Sequence, residues 1–398
     1  MLNRRHFLQG AGAAATAFLV PGLPRPARAM TGDPVLVALY LRGGADSLNL
    51  VVPAGDPDYY AGRPDIQVPP GAEIPLGDGF FGLNPLLADL VPLYTNGELA
   101  FVHAAGNPMG TRSHFDAQDR MELGLAETPQ ITDGWLNRFL AGEGLQDSWA
   151  GISLAPGKTL SLQGPNPSIA VTSVAGILLN ADPSFRSMLD TLYQGSVPAD
   201  LETAASEAFT AIDVIGSVPL GTSVVYPPSP LGSALRDAAA LIKADVGVRV
   251  VTVDTGGWDH HTSEVASMAA VAPGLAAALA AFREDLGDEL ARVCLLGMTE
   301  FGRNVRQNGA RGTDHGIGGL MLCLGGGIRG GRVLLADDVW PGLALPDLVD
   351  DRDLQITTDF RDVFGEVLNQ HMGVSLAGIA PILPGHPVSA AGFPGLYA

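Results

Sequence analysis

Residues 298–316 read MTEFGRNVRQNGARGTDHG. An apolar run, Val293–Met298, stops abruptly at Thr299-Glu300, and Asp314-His315-Gly316 come further along. Carboxylates and an imidazole beside a hydrophobic strand suit three uses: metal ligands, a general acid/base pair, or plain loop polarity. Gly302, Gly309, Gly312 and Gly316 make the intervening segment pliable enough to fold its ends together. Arg303 and Arg306 could hold an anionic substrate or pair with neighbouring acids. The expectation is that Glu300, Asp314 and His315 belong to one metal-centred cleft.

Three other stretches offer matching chemistry. DTGGWDHHTSE gathers Asp254, Asp259, His260, His261 and Glu264, and Asp259 and His261, at alternate positions, could grip one cation together. LRGGADSLN presents Asp46 after a glycine pair, either as a ligand at a strand mouth or as the cap of a short helix. In NPMGTRSHFDAQDRME, Ser113 opens a predicted helix, where free amides and the helix dipole favour an anion. A hydroxyl there could attack a phosphoryl or sulfuryl group, with Arg112 and His114 steadying its charge. Equally, Ser113-His114-Phe115-Asp116 is nearly a capping box.

These residues need elements to hold them. Short apolar runs at about 35–41, 99–104 and 248–253, then RVCLLGM and GLMLCLG, read as buried strands, each followed by glycine and polar residues. Their unbroken hydrophobicity suits central parallel strands covered on both faces. Helices are expected at 230–247, in TTDFRDVFGEVLNQHMG, and in the alanine-rich run SEVASMAAVAPGLAAALAAFREDLGDEL. Pro273-Gly274 predicts that this last run is a buried helix pair rather than a membrane span. The segment from about 151 to 229, without strand–helix alternation, is expected to be an insertion or cap. The whole predicts an α/β fold, a three-layer α/β/α sandwich with a mostly parallel central sheet. In such sheets ligands bind beyond the carboxyl ends of the strands, where the acids and histidines fall.

The N-terminus predicts export. Arg4-Arg5, an Ala/Gly-rich apolar stretch and Ala27-Arg28-Ala29 form a twin-arginine signal over 1–29, followed by one domain over 30–398. The destination is periplasmic or extracellular, with the twin-arginine machinery as partner and no stable membrane span once the signal is removed. Apolar residues make up 46% of the 398-residue chain, ample for a large core. A net charge of −19 argues against nucleic acid, whose phosphates demand clustered basic residues. Cys294 and Cys323, both inside predicted strands, read as buried apolar thiols rather than a disulfide or metal site.

The ordered motifs LRGGADSLN, RSHFDAQD, GGWDHH, MTEFGRNVRQNG…GTDHG and LGGGIRGGRV resemble an exported bacterial family, domain of unknown function 1501, over essentially the mature chain. The resemblance implies an alkaline phosphatase-like fold, shared with sulfatases and cofactor-independent phosphoglycerate mutases. Enzymes of that superfamily use two divalent metals and a Ser or Thr nucleophile. By position, Asp46 resembles their first aspartate, Ser113 the nucleophile, Asp259 and His261 an Asp…His pair, and His315 the final histidine. Glu300 stands where relatives carry Asp, and Phe301 where they carry a metal-binding histidine. Asp314 or His114 would then fill the gap, or only one ion is held.

The function implied is an exported, metal-dependent hydrolase of small anionic phosphate or sulfate esters, acting through Ser113 or a metal-activated water, with one or two ions of Zn, Mn or Fe. The alternative is a non-catalytic periplasmic protein that uses the same acidic cleft to bind a ligand or partner. GGGIRGG at 325–331 lacks the strand–helix context of a dinucleotide site.

Overall fold

The structure is a computed structural model and describes residues 32–397 apart from 128–130, 178–182 and 196–197. The signal expected over 1–29 lies outside the described residues. Nine strands form the main sheet: β1 Val35–Leu41, β2 Leu99–Gly106, β3 Gly151–Ser153, β4 Ile169–Ala170, β5 Val250–Thr255, β6 Val293–Met298, β7 Gly319–Gly325, β8 Arg332–Leu334 and β9 Thr358–Asp359. Their order is β8-β2-β7-β6-β1-β5-β3-β4, with β9 also beside β2. The helices that matter here are α1 Ser47–Leu50, α2 His114–Leu123, α3 Trp135–Gly142, α4 Pro183–Tyr193, α5 Ala199–Gly216, α6 Pro230–Ala244, α7 Glu264–Leu286 and α8 Phe360–Glu366.

The central strand β1 is buried along its whole length and flanked in parallel by β5 and β6. Because successive side chains point to opposite faces, β1 serves two cores. Val35, Val37, Leu39 and Leu41 pack with Leu235 and Leu241 of α6 and Leu275, Leu279 and Phe282 of α7. Leu36, Ala38 and Tyr40 join a second cluster with Trp135 and Phe139 of α3 and Phe360 and Phe364 of α8. The protein is therefore a mixed α/β fold with a mostly parallel central sheet and helices packed against both of its faces.

Three expectations change. β7 runs antiparallel to both β2 and β6. Continuous hydrophobicity reports burial on two faces and says nothing about direction. The loop joining β6 to β7 folds back on itself through the Arg303–His315 bridge, and the chain returns antiparallel beside β6. The alanine-rich run is one continuous helix, α7, with Pro273 inside it. Pro273 lies on the exposed side, where water can reach the carbonyl that loses its amide partner. By length and composition the helical run 264–292 is apolar enough to cross a membrane, and 44% of its most apolar window is buried against the rest of the protein. The stretch 151–229 supplies edge strands β3 and β4 to the main sheet before forming α4 and α5. Cys294 and Cys323 are buried free thiols, their sulfurs 3.4 Å apart between β6 and β7.

Candidate metal centre

The loops after β1, β5 and β6 and the start of α2 meet at one edge of the sheet. Gly43, at φ +123°, lets the turn after β1 lie against the β5 loop, where a Cβ would come within 2.6 Å of the Asp259 amide nitrogen. The 299–318 loop folds back on itself through an antiparallel bridge between Arg303 and His315, with Gly316 N–H donating to the Gly302 carbonyl at 2.9 Å. Gly302 permits this closure, since a Cβ there would overlap the Gly318 carbonyl oxygen. The two ends of the loop thus converge.

What they bring together is a set of three imidazoles around one carboxylate. Nε2 of His114 lies 3.4 Å from Asp259 Oδ2, while Nε2 of His261 and of His315 lie 3.1 and 3.3 Å from Asp259 Oδ1. The Nε2 atoms of His261 and His315 are 2.9 Å apart. Two bare nitrogen lone pairs at that distance would repel, so the spacing suits rings that share a proton or a cation. Donors bound at about 2.0–2.1 Å to a tetrahedral ion stand roughly 3.3–3.4 Å from one another. The three contacts to Asp259 fall close to that value, and the His261–His315 pair is tighter. His114, Asp259 and His315 also meet, with one donor atom each, within a mutual 4.8 Å.

The outer nitrogens explain why the rings face this way. His315 Nδ1 donates to the Arg112 carbonyl at 2.8 Å, and a carbonyl can only accept. His114 Nδ1 lies 2.8 Å from Glu300 Oε1. Burial alone would raise the Glu300 carboxyl, but hydrogen bonds from Gln118, backbone amides and His114 outweigh it and keep it ionised. With Nδ1–H committed outward, each ring can present an Nε2 lone pair to Asp259, the tautomer that metal-binding histidines adopt. Burial, then the Arg303 charge, also holds His315 below the ordinary imidazole value, which favours the neutral ring. Asp314 stands behind His261, 3.4 Å from its Nδ1.

Arg303 locks the assembly. It is buried, donates to the carbonyls of Gly43, Gly44, Thr313 and Trp258, and reaches Asp259 Oδ1 at 2.5 Å. Burial by itself would raise the Asp259 carboxyl; the hydrogen bond and charge of Arg303 outweigh that and hold it ionised. Phe301 packs its ring 4.9 Å from that of His114 and 4.7 Å from that of His315, a wall behind both imidazoles.

The residues singled out in the sequence therefore separate. Asp259, His261 and His315 meet at the centre, and His114, expected to steady a nucleophile, joins them as a nitrogen donor. Glu300 and Asp314, expected as ligands, stand behind the rings, because their oxygens engage outer ring nitrogens. Asp46 is not in the cluster: fully buried, it caps α1 through Leu48 N–H at 3.1 Å and pairs with buried Arg63 at 2.5 Å. Ser113 caps α2, its Oγ accepting from the Asp116 amide at 3.4 Å, as the near-capping-box spacing suggests. The Arg112 guanidinium faces Asp350 at 2.7 Å and Asp353 at 2.5 Å, which leaves its carbonyl as its tie to the cluster. His260 turns away, bonding the Gly257 carbonyl at 2.8 Å. Sequence reasoning missed Gln118, which donates to Glu300 at 2.8 Å. Its position one helical turn after His114 was the available signal.

No curated protein matches the chain. The segment from β5 to α8 carries Asp259, His261, Glu300, Asp314 and His315 and leaves Asp46 and His114 outside. It lies within residues 226–382, which match the family model described as protein of unknown function (DUF1501), and this match supports the kinship with that family expected from the motifs.

Proposed function

We propose that this protein is an exported metal-dependent hydrolase of phosphate or sulfate esters, on a three-layer α/β/α sandwich of the alkaline phosphatase-like kind, working with a single divalent ion. The observation that carries the reading is the paired orientation of His114 and His315. Each ring is tied outward at Nδ1 and aims a free Nε2 at the half-exposed Asp259. His114, Asp259, His261 and His315 would hold the ion, and a donor set of three imidazoles and one carboxylate suits Zn first, with Mn or Fe as alternatives. An ion there supplies Lewis acidity to an ester oxygen and acidifies water at neutral pH.

Among the described residues a second ion has no comparable donor set. Asp46 is neutralised by Arg63, Glu300 already accepts from Gly43 N–H, Gln118 and His114, and Phe301 offers no lone pair. The Ser113 hydroxyl caps α2 by accepting from the Asp116 amide, so water is preferred to Ser113 as the attacking group. Under this reading the mature chain is periplasmic or extracellular and delivered by the twin-arginine machinery, which the sequence features at 1–29 support.

Elemental mass spectrometry on folded, exported protein tests the proposal, beside a His315→Ala variant. About one equivalent of metal in the parent, and clearly less in the variant at the same free metal concentration, supports it and directs a screen of phosphate and sulfate esters. Protein that stays folded without metal and takes up none overturns it. One feature favours a second reading, in which the cleft binds without catalysis: the Arg112 side chain is held by acids, so it is not free to grip an anionic ester.

A further inference from the structure

Asp353 lies far along the chain from every residue discussed as a ligand, in the segment that returns beside the 299–318 loop through a bridge to Asn304. Its side chain is fully buried and engages two arginines. Oδ2 accepts from Arg112 Nε at 2.7 Å, and Oδ1 accepts from Arg352 Nε at 3.0 Å. Both arginines also touch His315. The Arg112 carbonyl accepts from His315 Nδ1 at 2.8 Å, and Arg352 Nη2 donates to the His315 carbonyl at 2.7 Å. Arg112 in turn stands two residues before His114.

We infer that Asp353 is a positioning residue for the metal centre, holding Arg112 and Arg352 so that their contacts fix the His315 ring and set its Nε2 toward Asp259. The inference rests on the single-ion reading above. A buried carboxylate between two guanidiniums has one well-defined arrangement, because each oxygen is committed to a different fork. Removing its charge frees both forks. Arg112 can then follow Asp350 toward solvent, carrying its carbonyl with it, and His315 loses the acceptor that sets its tautomer. Outer partners of this kind act on metal affinity through the ligand they orient.

The test measures Co(II) binding by the wild-type protein, Asp353→Asn, His315→Ala and the double variant, with visible absorption and a competing chelator. Wild type is expected to bind about one Co(II) with the intense bands of a four-coordinate ion. Asp353→Asn is expected to bind about 10–100-fold more weakly with altered bands at saturation. In the His315→Ala background the same change should cost nothing further, because its effect runs through that ring. A wild-type protein that binds no Co(II) sinks the metal-centre reading itself. Wild-type binding with an unchanged Asp353→Asn spectrum and affinity, or an equal loss in both backgrounds, overturns the positioning role alone. Should Asp353→Asn not fold, Arg352→Gln, which removes the bond to the His315 carbonyl and leaves Arg112 on Asp353, is put through the same cycle and judged by the same outcomes.

Discussion

Asp46 and Asp259 follow neighbouring strands of the sheet and each touches a buried arginine, yet they end in different environments. Asp46 has no solvent exposure and meets Arg63 at 2.5 Å, with Glu264 sharing its hydrogen bonding. The Glu264 carboxyl is pushed well up by burial and by the Asp46 charge. It accepts from Asn49 at 2.7 Å and Thr313 at 3.1 Å, while Arg63 also donates to the carbonyls of Asn304 and Val305. This region is a sealed brace beneath the 299–318 loop. The Asp259 side chain is 45% exposed, and imidazole nitrogens rather than a second carboxyl surround it. One arginine and one aspartate thus make a strut where water is excluded. They make a ligand site where solvent and imidazole nitrogens remain.

The comparison breaks most visibly at Arg63. Arg63→Met leaves Asp46 buried and unpaired, so denaturant unfolding should show a loss of about 3–5 kcal/mol; a loss below about 1 kcal/mol would mean that Asp46 is not a strut. His315→Ala attacks the other region. It should lower metal affinity by more than the roughly 100-fold that outer partners command, with little change in the stability of the metal-free protein. Equal binding by the variant and wild type in a chelator competition would remove His315 as a ligand.

Glu300→Gln sharpens the distinction between ligand and orienting group. The amide keeps the shape but no longer holds the His114 tautomer by charge, so metal affinity should fall about tenfold while one equivalent still binds. Complete loss of the metal would instead make Glu300 a direct ligand. The smallest effect belongs to Ser113→Ala, which removes a helix cap and should cost about 1 kcal/mol in thermal or denaturant unfolding. Metal affinity and any ester turnover should persist; abolished turnover with intact metal would restore Ser113 as the nucleophile.

Much of the scaffold was legible before folding. Val35–Leu41 and Val293–Met298 coincide with the strands expected, and Ser229 caps α6 where the helix was expected to start. Local signals suffice there, because burial on both faces leaves a continuous apolar run and a cap is read within one turn. The direction of β7 was not legible, since it follows from which neighbour the chain can reach.

The candidate site divides the same way. The sequence by itself determined which residues can do chemistry: acids and imidazoles placed just after apolar strands, with glycines that let their loops approach. Only the tertiary structure decided their roles. Glu300 orients rather than ligates, because His114 from another element lies 2.8 Å away. Asp46 is a strut, because Arg63 arrives from a separate helix-end loop. Asp353 matters at all only because Arg112, distant in sequence, joins the adjacent Arg352 on its carboxylate. Each role depends on the partner a charge or lone pair meets and on the water left beside it. Those are long-range facts, which the spacing of residues along the chain does not contain.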